Sequence, residues 1–393
     1  MSSKECTLCK LRDIVKLQNG YAFKSKEFME NEVPIIRINN LQDNNVVIDK
    51  KICYPKKFLQ NNRQYEVKKN DILISMSGSI GKIAKYTNKT PALLNQRVGK
   101  FEILKENNLN VEYLFYFLRS DRFQRAVIKD ANGCVVRNIS ANSILECDIP
   151  MPSLETQNRI AQVLEKSEKI IEKRKEAIRL LDELVKSKFI EMFGDPIKNP
   201  KRLSKVELGK LGDWKTGGTP SRSNSEFYNG NIPWLSSGEL NNIYCFGSNE
   251  MITERAIKES AAKIIERGSL LLGMYDTAAL KSTINMIECS CNQAIAYAKL
   301  DKNLANTIFV YYCIQIGKNF YKSRQRGVRQ KNLNLSMIKE LEILMPDLEL
   351  QNQFENFVRQ VDKLKFKMEE SLKKLESNFN LLIQRAFNGE LFN

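Results

Sequence analysis

Ile149-Pro150-Met151-Pro152-Ser153-Leu154-Glu155-Thr156-Gln157-Asn158 is answered by Ile343-Leu344-Met345-Pro346-Asp347-Leu348-Glu349-Leu350-Gln351-Asn352. The offset between Pro152 and Pro346 also relates Arg137-Asn138-Ile139 to Lys331-Asn332-Leu333 upstream, and Phe193 to Phe387 downstream. One offset kept from Arg137 to Phe193 marks an internal duplication. Earlier stretches match more loosely. Asn95-Gln96 answers Asn292-Gln293, Asp71-Ile72-Leu73 answers Ser269-Leu270-Leu271, and Pro34-Ile35-Ile36 answers Pro233-Trp234-Leu235. Each half is therefore a divergent block followed by a well-kept segment, with bounds at 1–151 and 152–195, then 196–345 and 346–393.

The kept segments read as helices. After Pro152, apolar residues recur at three- and four-residue spacing through Ile160, Leu164, Ile171, Ile178, Leu181 and Val185. After Pro346 they recur through Phe354, Val361, Leu364, Leu372, Leu375 and Phe379, with charged residues between. That spacing is a one-sided helical stripe. No Gly or Pro interrupts it before Gly194-Asp195-Pro196 and Asn388-Gly389. At 1.5 Å per residue each helix is about 60 Å long. A lone helix cannot bury such a stripe, so the pair is expected to pack as an antiparallel coiled coil rather than as two independent caps, relating the halves by a pseudo-twofold axis. The blocks between them carry short β-like runs at 33–38, 71–76, 270–274 and 294–298. A helical stretch at 111–126 has its echo at 305–321. The fold class is α+β, two similar globular domains separated by two long helices.

Composition narrows the chemistry. The 393 residues hold 62 Lys plus Arg against 46 Asp plus Glu, a formal charge of +16, and no His. Lacking His excludes Ser-His-Asp and Cys-His nucleophiles, His-ligated metals and imidazole proton shuttles. Nine cysteines form no zinc or disulfide framework, so reduced thiols and no metal site are expected. The N-terminus opens on no apolar leader, and the longest apolar runs fall well short of the ~20 residues of a membrane span. A cytoplasmic protein is the expectation. So large a basic surplus calls for an acidic partner, and double-stranded DNA is the usual one, because Lys and Arg release its condensed counterions.

Two motifs could meet that partner. Ser77-Gly78-Ser79-Ile80-Gly81-Lys82 resembles a phosphate loop, but Met76 and Ile83 stand where a Walker A loop needs Gly and Ser or Thr. It remains either a Gly turn that places Lys82 near a DNA phosphate or a plain hairpin turn. The densest basic run spans 322–331 and includes Arg324, Arg326, Arg329, Gln330 and Lys331. Its counterpart carries Arg122, Arg125 and Arg137, with Gly133 in the place of Gly327. Arg and Lys suit guanine or phosphate, and Gln suits adenine. Glu66-Val67-Lys68 has a nuclease-like form but no Pro-Asp before it, and neither Asn-Pro-Pro-Tyr nor Asp-Pro-Pro-Tyr occurs. No catalytic constellation is legible.

This order of parts resembles the specificity (S) subunit of type I restriction–modification systems, over nearly the whole chain. The resemblance rests on 33–38, on 71–74 running into Gly78-Ser79-Ile80-Gly81-Lys82, and on Met151-Pro152-Ser153-Leu154-Glu155-Thr156-Gln157. In the second half it rests on Ile232-Pro233-Trp234-Leu235, Asn292-Gln293-Ala294-Ile295 and Met345-Pro346-Asp347-Leu348-Glu349-Leu350-Gln351. The second half departs at 273–277, where no Gly-Lys turn follows, so Lys82 has no clear counterpart. The resemblance implies two target recognition domains, one per half-site of an asymmetric bipartite DNA target, and a chain that is itself no enzyme. It implies docking of two methyltransferase (M) subunits, which use S-adenosylmethionine to methylate adenine N6. It also implies restriction (R) subunits, which use ATP and Mg. The apolar stripe residues named above are the candidate helix-pairing and partner surface. Two other classes stay open: a free-standing bipartite DNA-binding regulator, and an enzyme with a site that needs no His.

Overall fold

Both kept segments are single helices of 40 residues, Leu154–Phe193 and Leu348–Phe387, in a computed structural model that describes residues 7–42, 44–104, 108–131, 138–275, 278–323 and 332–391. The chain divides into two compact units, Met1–Lys175 with Glu370–Asn393, and Glu176–Glu369. The division cuts through both helices, so each unit holds a block and one half of each helix.

In the first unit, Ile160, Leu164 and Ile171 bury themselves with Phe379, Ile383 and Phe387, and Leu372 and Leu375 pack against them. The helices run antiparallel there, with Arg119 bound to Glu168 at 2.7 Å and over Phe379, and Lys175 paired to Glu376 at 2.8 Å. In the second unit, Val185, Phe189 and Phe193 pack with Phe354, Val358 and Val361, and Leu181 lies against them. Ile178 is half-buried. Leu364 does not belong to the stripe and stands 49% exposed. Beside it, half-buried Lys365 reaches exposed Asp182 on the other helix with its ammonium at 2.6 Å.

Each block closes on itself. Its first strand pairs antiparallel with the strand that leads into the long helix: Thr7–Lys10 with Asp148–Met151, and Lys205–Glu207 with Glu342–Leu344. The main sheet of the first unit runs Val15–Asn19, Val98–Ile103, Ile72–Ser75, Ile83–Lys85, Asn45–Val46, Leu41–Gln42. That of the second runs Lys215–Thr216, Ile295–Ala298, Leu270–Gly273, Ser282–Asn285, Tyr244–Cys245, the same order without the last strand. A smaller sheet in each unit holds one parallel pair, Leu93 against Ile35 and Trp234 against Ser290. The block helix is Thr307–Lys322 in the second unit but is broken into Val111–Leu118 and Asp121–Ala131 in the first. Buried Ser120 makes the break, its hydroxyl accepting from the Phe123 amide at 3.4 Å as a helix cap does.

The end of each long helix seals the block of the other repeat. Phe387 sits 5.1 Å from Tyr113 and 5.4 Å from Phe117, while Phe193 sits 4.8 Å from Phe309. All five rings are fully buried, and each burial contributes about 1.5–3 kcal/mol. No helix among the described residues is long and apolar enough to cross a membrane. The seven cysteines among them are free thiols, and burial pushes those of Cys289 and Cys313 up to about 12, which keeps them protonated and unreactive.

The start of each long helix grips the start of its block helix. Asn110 caps the latter by accepting from the Tyr113 amide at 2.9 Å, and its own N–H donates to Gln157 Oε1 at 2.9 Å. Asn110 Nδ2 donates to Asn158 Oδ1 at 2.6 Å, and Gln157 Nε2 to the Pro152 carbonyl at 3.0 Å. The second unit repeats the set. Asn306 accepts from the Phe309 amide at 3.2 Å, its N–H donates to Gln351 Oε1 at 2.9 Å, and its side chain to Asn352 at 2.9 Å. Gln351 Nε2 donates to the Pro346 carbonyl at 2.8 Å. Gln157 and Gln351 are 1% and 0% exposed. Replacing either by Ala leaves a buried N–H and carbonyl unpaired. Gln157→Ala and Gln351→Ala are each expected to lower stability by about 1–3 kcal/mol, read by denaturant unfolding of the full chain. An unchanged midpoint for both would show the clamp to be incidental.

Candidate nucleic-acid interface

Two turns in each block carry polar side chains out of an apolar scaffold. The first is Asn95-Gln96-Arg97, between strands Ala92–Leu94 and Val98–Ile103. The Asn95 N–H donates to the Ile36 carbonyl at 3.2 Å, the Gln96 N–H to the Tyr21 carbonyl at 2.9 Å, and the Arg97 carbonyl accepts from Met76 at 3.0 Å. Gly20 is packed so closely that a Cβ there would stand 2.2 Å from the Asn95 carbonyl oxygen. Asn292-Gln293-Ala294 is held alike. Asn292 donates to the Leu235 carbonyl at 3.0 Å, the Ala294 carbonyl accepts from Met274 at 2.9 Å, and a Cβ on Gly217 would stand 2.4 Å from the Asn292 carbonyl oxygen.

The second turn is the Gly-Lys hairpin. Between Ile72–Ser75 and Ile83–Lys85, Ser75 donates to the Lys82 carbonyl at 3.0 Å and Gly81 to the Ser75 carbonyl at 3.0 Å. Gly81 has φ +80°, and Gln124 Nε2 donates to its carbonyl at 2.9 Å. The expectation that Lys82 has no counterpart is overturned here. Gly273 donates to the Lys281 carbonyl at 2.8 Å, Leu280 donates to the Gly273 carbonyl at 2.7 Å, and Gln315 Nε2 donates to the Leu280 carbonyl at 2.9 Å. Leu280 holds the left-handed conformation at φ +57°, which a glycine search passes over. Lys281 therefore stands where Lys82 stands. Its ammonium donates to Asn241 Oδ1 at 2.8 Å, whereas exposed Lys82 borders a groove of about 350 Å³ lined by Asn44, Arg119, Gln124 and Asn380.

The other basic candidates divide. Arg122 is exposed and donates to the Phe387 carbonyl at 3.4 Å, so it ties its helix to the long one. Arg125 is exposed and pairs with Asp121 one helical turn away at 3.6 Å. Arg137, Arg324, Arg326, Arg329, Gln330 and Lys331 lie outside the described residues. The described residues that follow them pair at matching places: Asn138 bridges to Ser77 and Asn332 to Tyr275, and Ile139 and Leu333 donate to the Met76 and Met274 carbonyls at 3.0 and 2.8 Å. Two buried polar atoms near these turns, Arg37 Nε and Ser77 Oγ, have no hydrogen-bond partner among the described residues. Among those residues no group of three or more side chains could hold a metal ion.

The model of the type I restriction modification DNA specificity domain matches the chain twice, at residues 3–180 and 200–377. The chain belongs to that family. The MjaVIII specificity subunit of Methanocaldococcus jannaschii is 34% identical over 173 residues, 42% of this chain and 40% of that one. The MjaIX specificity subunit of the same organism is 22% identical over 415 residues, 99% of this chain and 94% of that one. Among solved structures, an S subunit from M. genitalium superposes with a TM-score of 0.53 at 15% identity, covering 98% of both chains. A chain from a study of complex assembly and conformational transition in the type I restriction–modification system superposes at 0.61, with 16% identity and 98% of both chains covered. Both support the α+β fold with paired long helices. As a specificity subunit this chain is the non-catalytic component of its system, recognising bipartite DNA targets within the complex. Reasoning from sequence missed Lys281 and the buried clamp of Gln157 and Gln351, although the repeated Gln-Asn pair after each Pro was the available signal.

Proposed function

We propose that each block reads one half of an asymmetric bipartite target, and that the long helices fix the number of unspecified bases between the halves. The observation that carries this is one scaffold built twice with different side chains on it. Arg37 and Ser236 occupy the same step, each N–H donating to the side chain three residues on, at 2.8 and 2.7 Å. Arg97 and Ala294 likewise occupy the same step of the Asn-Gln turn. Matching turn backbones with unlike donors and acceptors suit two different half-sites. Two M subunits, carrying S-adenosylmethionine, would rest on apolar side chains the helices leave exposed, such as Ile170, Leu184, Leu364 and Phe366. R subunits would bring ATP and Mg. A cytoplasmic setting follows from that assembly. A free-standing regulator would need no methyltransferase.

Methylation-sensitive sequencing of DNA from cells that express the chain with its M subunit tests the reading. The expected motif is two unlike half-sites around a fixed gap. One heptad inserted after both Ile171 and Leu364 should change the gap and keep both half-sites. A continuous or palindromic motif would contradict the reading of the blocks, and an unchanged gap the role of the helices.

Phosphate contacts are proposed for Lys82, Lys281 and the basic run. Lys82→Ala or Lys281→Ala should weaken binding of the assembled complex to all sequences and flatten the salt slope by about 0.9. Arg324→Ala, Arg326→Ala or Arg329→Ala should either do the same or relax one base position, at a cost of about 1–3 kcal/mol. Binding like that of the unaltered chain across several salt concentrations would make these residues a solvated face.

A further inference from the structure

Within each Asn-Gln turn the two side chains have different fates. Asn95 Oδ1 accepts from the Arg97 amide at 3.3 Å, and Asn292 Oδ1 from the Ala294 amide at 3.1 Å, so both asparagines close their own turns. The Val98 and Ile295 amides donate back to the Asn95 and Asn292 carbonyls at 2.9 and 3.2 Å. The glutamines that follow are exposed. Gln96 has no side-chain partner among the described residues, and the Thr219 hydroxyl donates to Gln293 Oε1. The turn backbone is fixed from several sides, and an exposed amide stands at its tip. The neighbouring positions differ between halves, Arg97 against Ala294 and Arg37 against Ser236, whereas the glutamine recurs on the same step. Ile139 and Leu333, which follow the basic runs in sequence, also pair next to each turn, at Met76 and Met274.

We infer that Gln96 and Gln293 read a base pair common to both half-sites, an adenine·thymine pair, each amide accepting from adenine N6 and donating to N7. A primary amide carries one donor and one acceptor in the spacing of that edge, and guanine offers two acceptors there instead. The retained side chain reads what the half-sites share, and the exchanged neighbours read what distinguishes them. The Thr219 hydroxyl uses one lone pair of Gln293 Oε1 and leaves the other for adenine, and it holds the amide in one orientation. This rests on the reading of the chain as a two-headed specificity subunit, and it names the residue that does the same work in both heads.

The test uses the full chain assembled with its M subunit and S-adenosylmethionine on a library of duplexes, varied one pair at a time around the motif of the unaltered complex. Gln96→Ala should relax discrimination at one adenine·thymine pair of the first half-site by roughly 10- to 100-fold and leave the second half-site as it was. Gln293→Ala should do so at the equivalent pair of the second half-site only. Asn95→Ala, which opens the turn, should weaken every position of the first half-site together. If both glutamine variants leave all positions unchanged, or if the relaxed pair is guanine·cytosine in either half, the inference is overturned. If the unaltered complex methylates no bipartite motif, the reading of the whole chain fails with it, so the two failures are distinguishable.

Discussion

A buried amide at the head of each long helix governs the rest of this structure. Gln157 and Gln351 each accept from the N–H of an asparagine that caps the block helix, and donate back to the proline carbonyl that begins their own helix. Three segments meet at one side chain: the strand entering the long helix, the long helix and the block helix. An unpaired polar group there is costly, so the geometry has one low-energy solution, and the chain contains it twice. The main sheet hangs from the block helix, and the Asn-Gln and Gly-Lys turns hang from the sheet.

The opposite ends of the long helices complete the arrangement by exchange. Phe387 fills the first block beside Tyr113 and Phe193 fills the second beside Phe309, so neither repeat is closed by its own helix alone. The apolar and amide contacts are nearly the same in both halves. Arg37, Arg97 and Lys82 in one half correspond to Ser236, Ala294 and Lys281 in the other.

The helices were legible because a stripe repeated at three and four residues has one reading, and the four main strand runs were legible from their β-branched and leucine content. Leu364 was read as helix-pairing or partner surface, and counting apolar residues cannot tell the two apart; it stands exposed while its neighbour Lys365 meets Asp182. The second Gly-Lys turn was hidden because Leu280 supplies by strain the left-handed backbone that Gly81 supplies freely. The break at Ser120 left no signal either, since serine occurs within helices as well as at their caps. The clamp needs three-dimensional information outright: nothing in the spacing of Asn110 and Gln157 says that they touch. Of the candidate basic residues, those on the helix turned out to be tied to Phe387 and Asp121, roles that charge alone does not distinguish from DNA contact.

The central claim is that one kind of reading block, gripped by the same clamp and sealed by the same phenylalanine, is built twice. It is tested most directly by exchange. Residues 1–151 placed in the position of 196–345 would set Asn110 against Gln351 in a clamp of the same donors and acceptors. The methylated motif of the resulting complex should then consist of the first half-site twice, in opposite orientations, with the original gap between them. A motif that still contains the second half-site, or one in which neither half-site is read although the chain folds and binds its M subunit, would contradict the account.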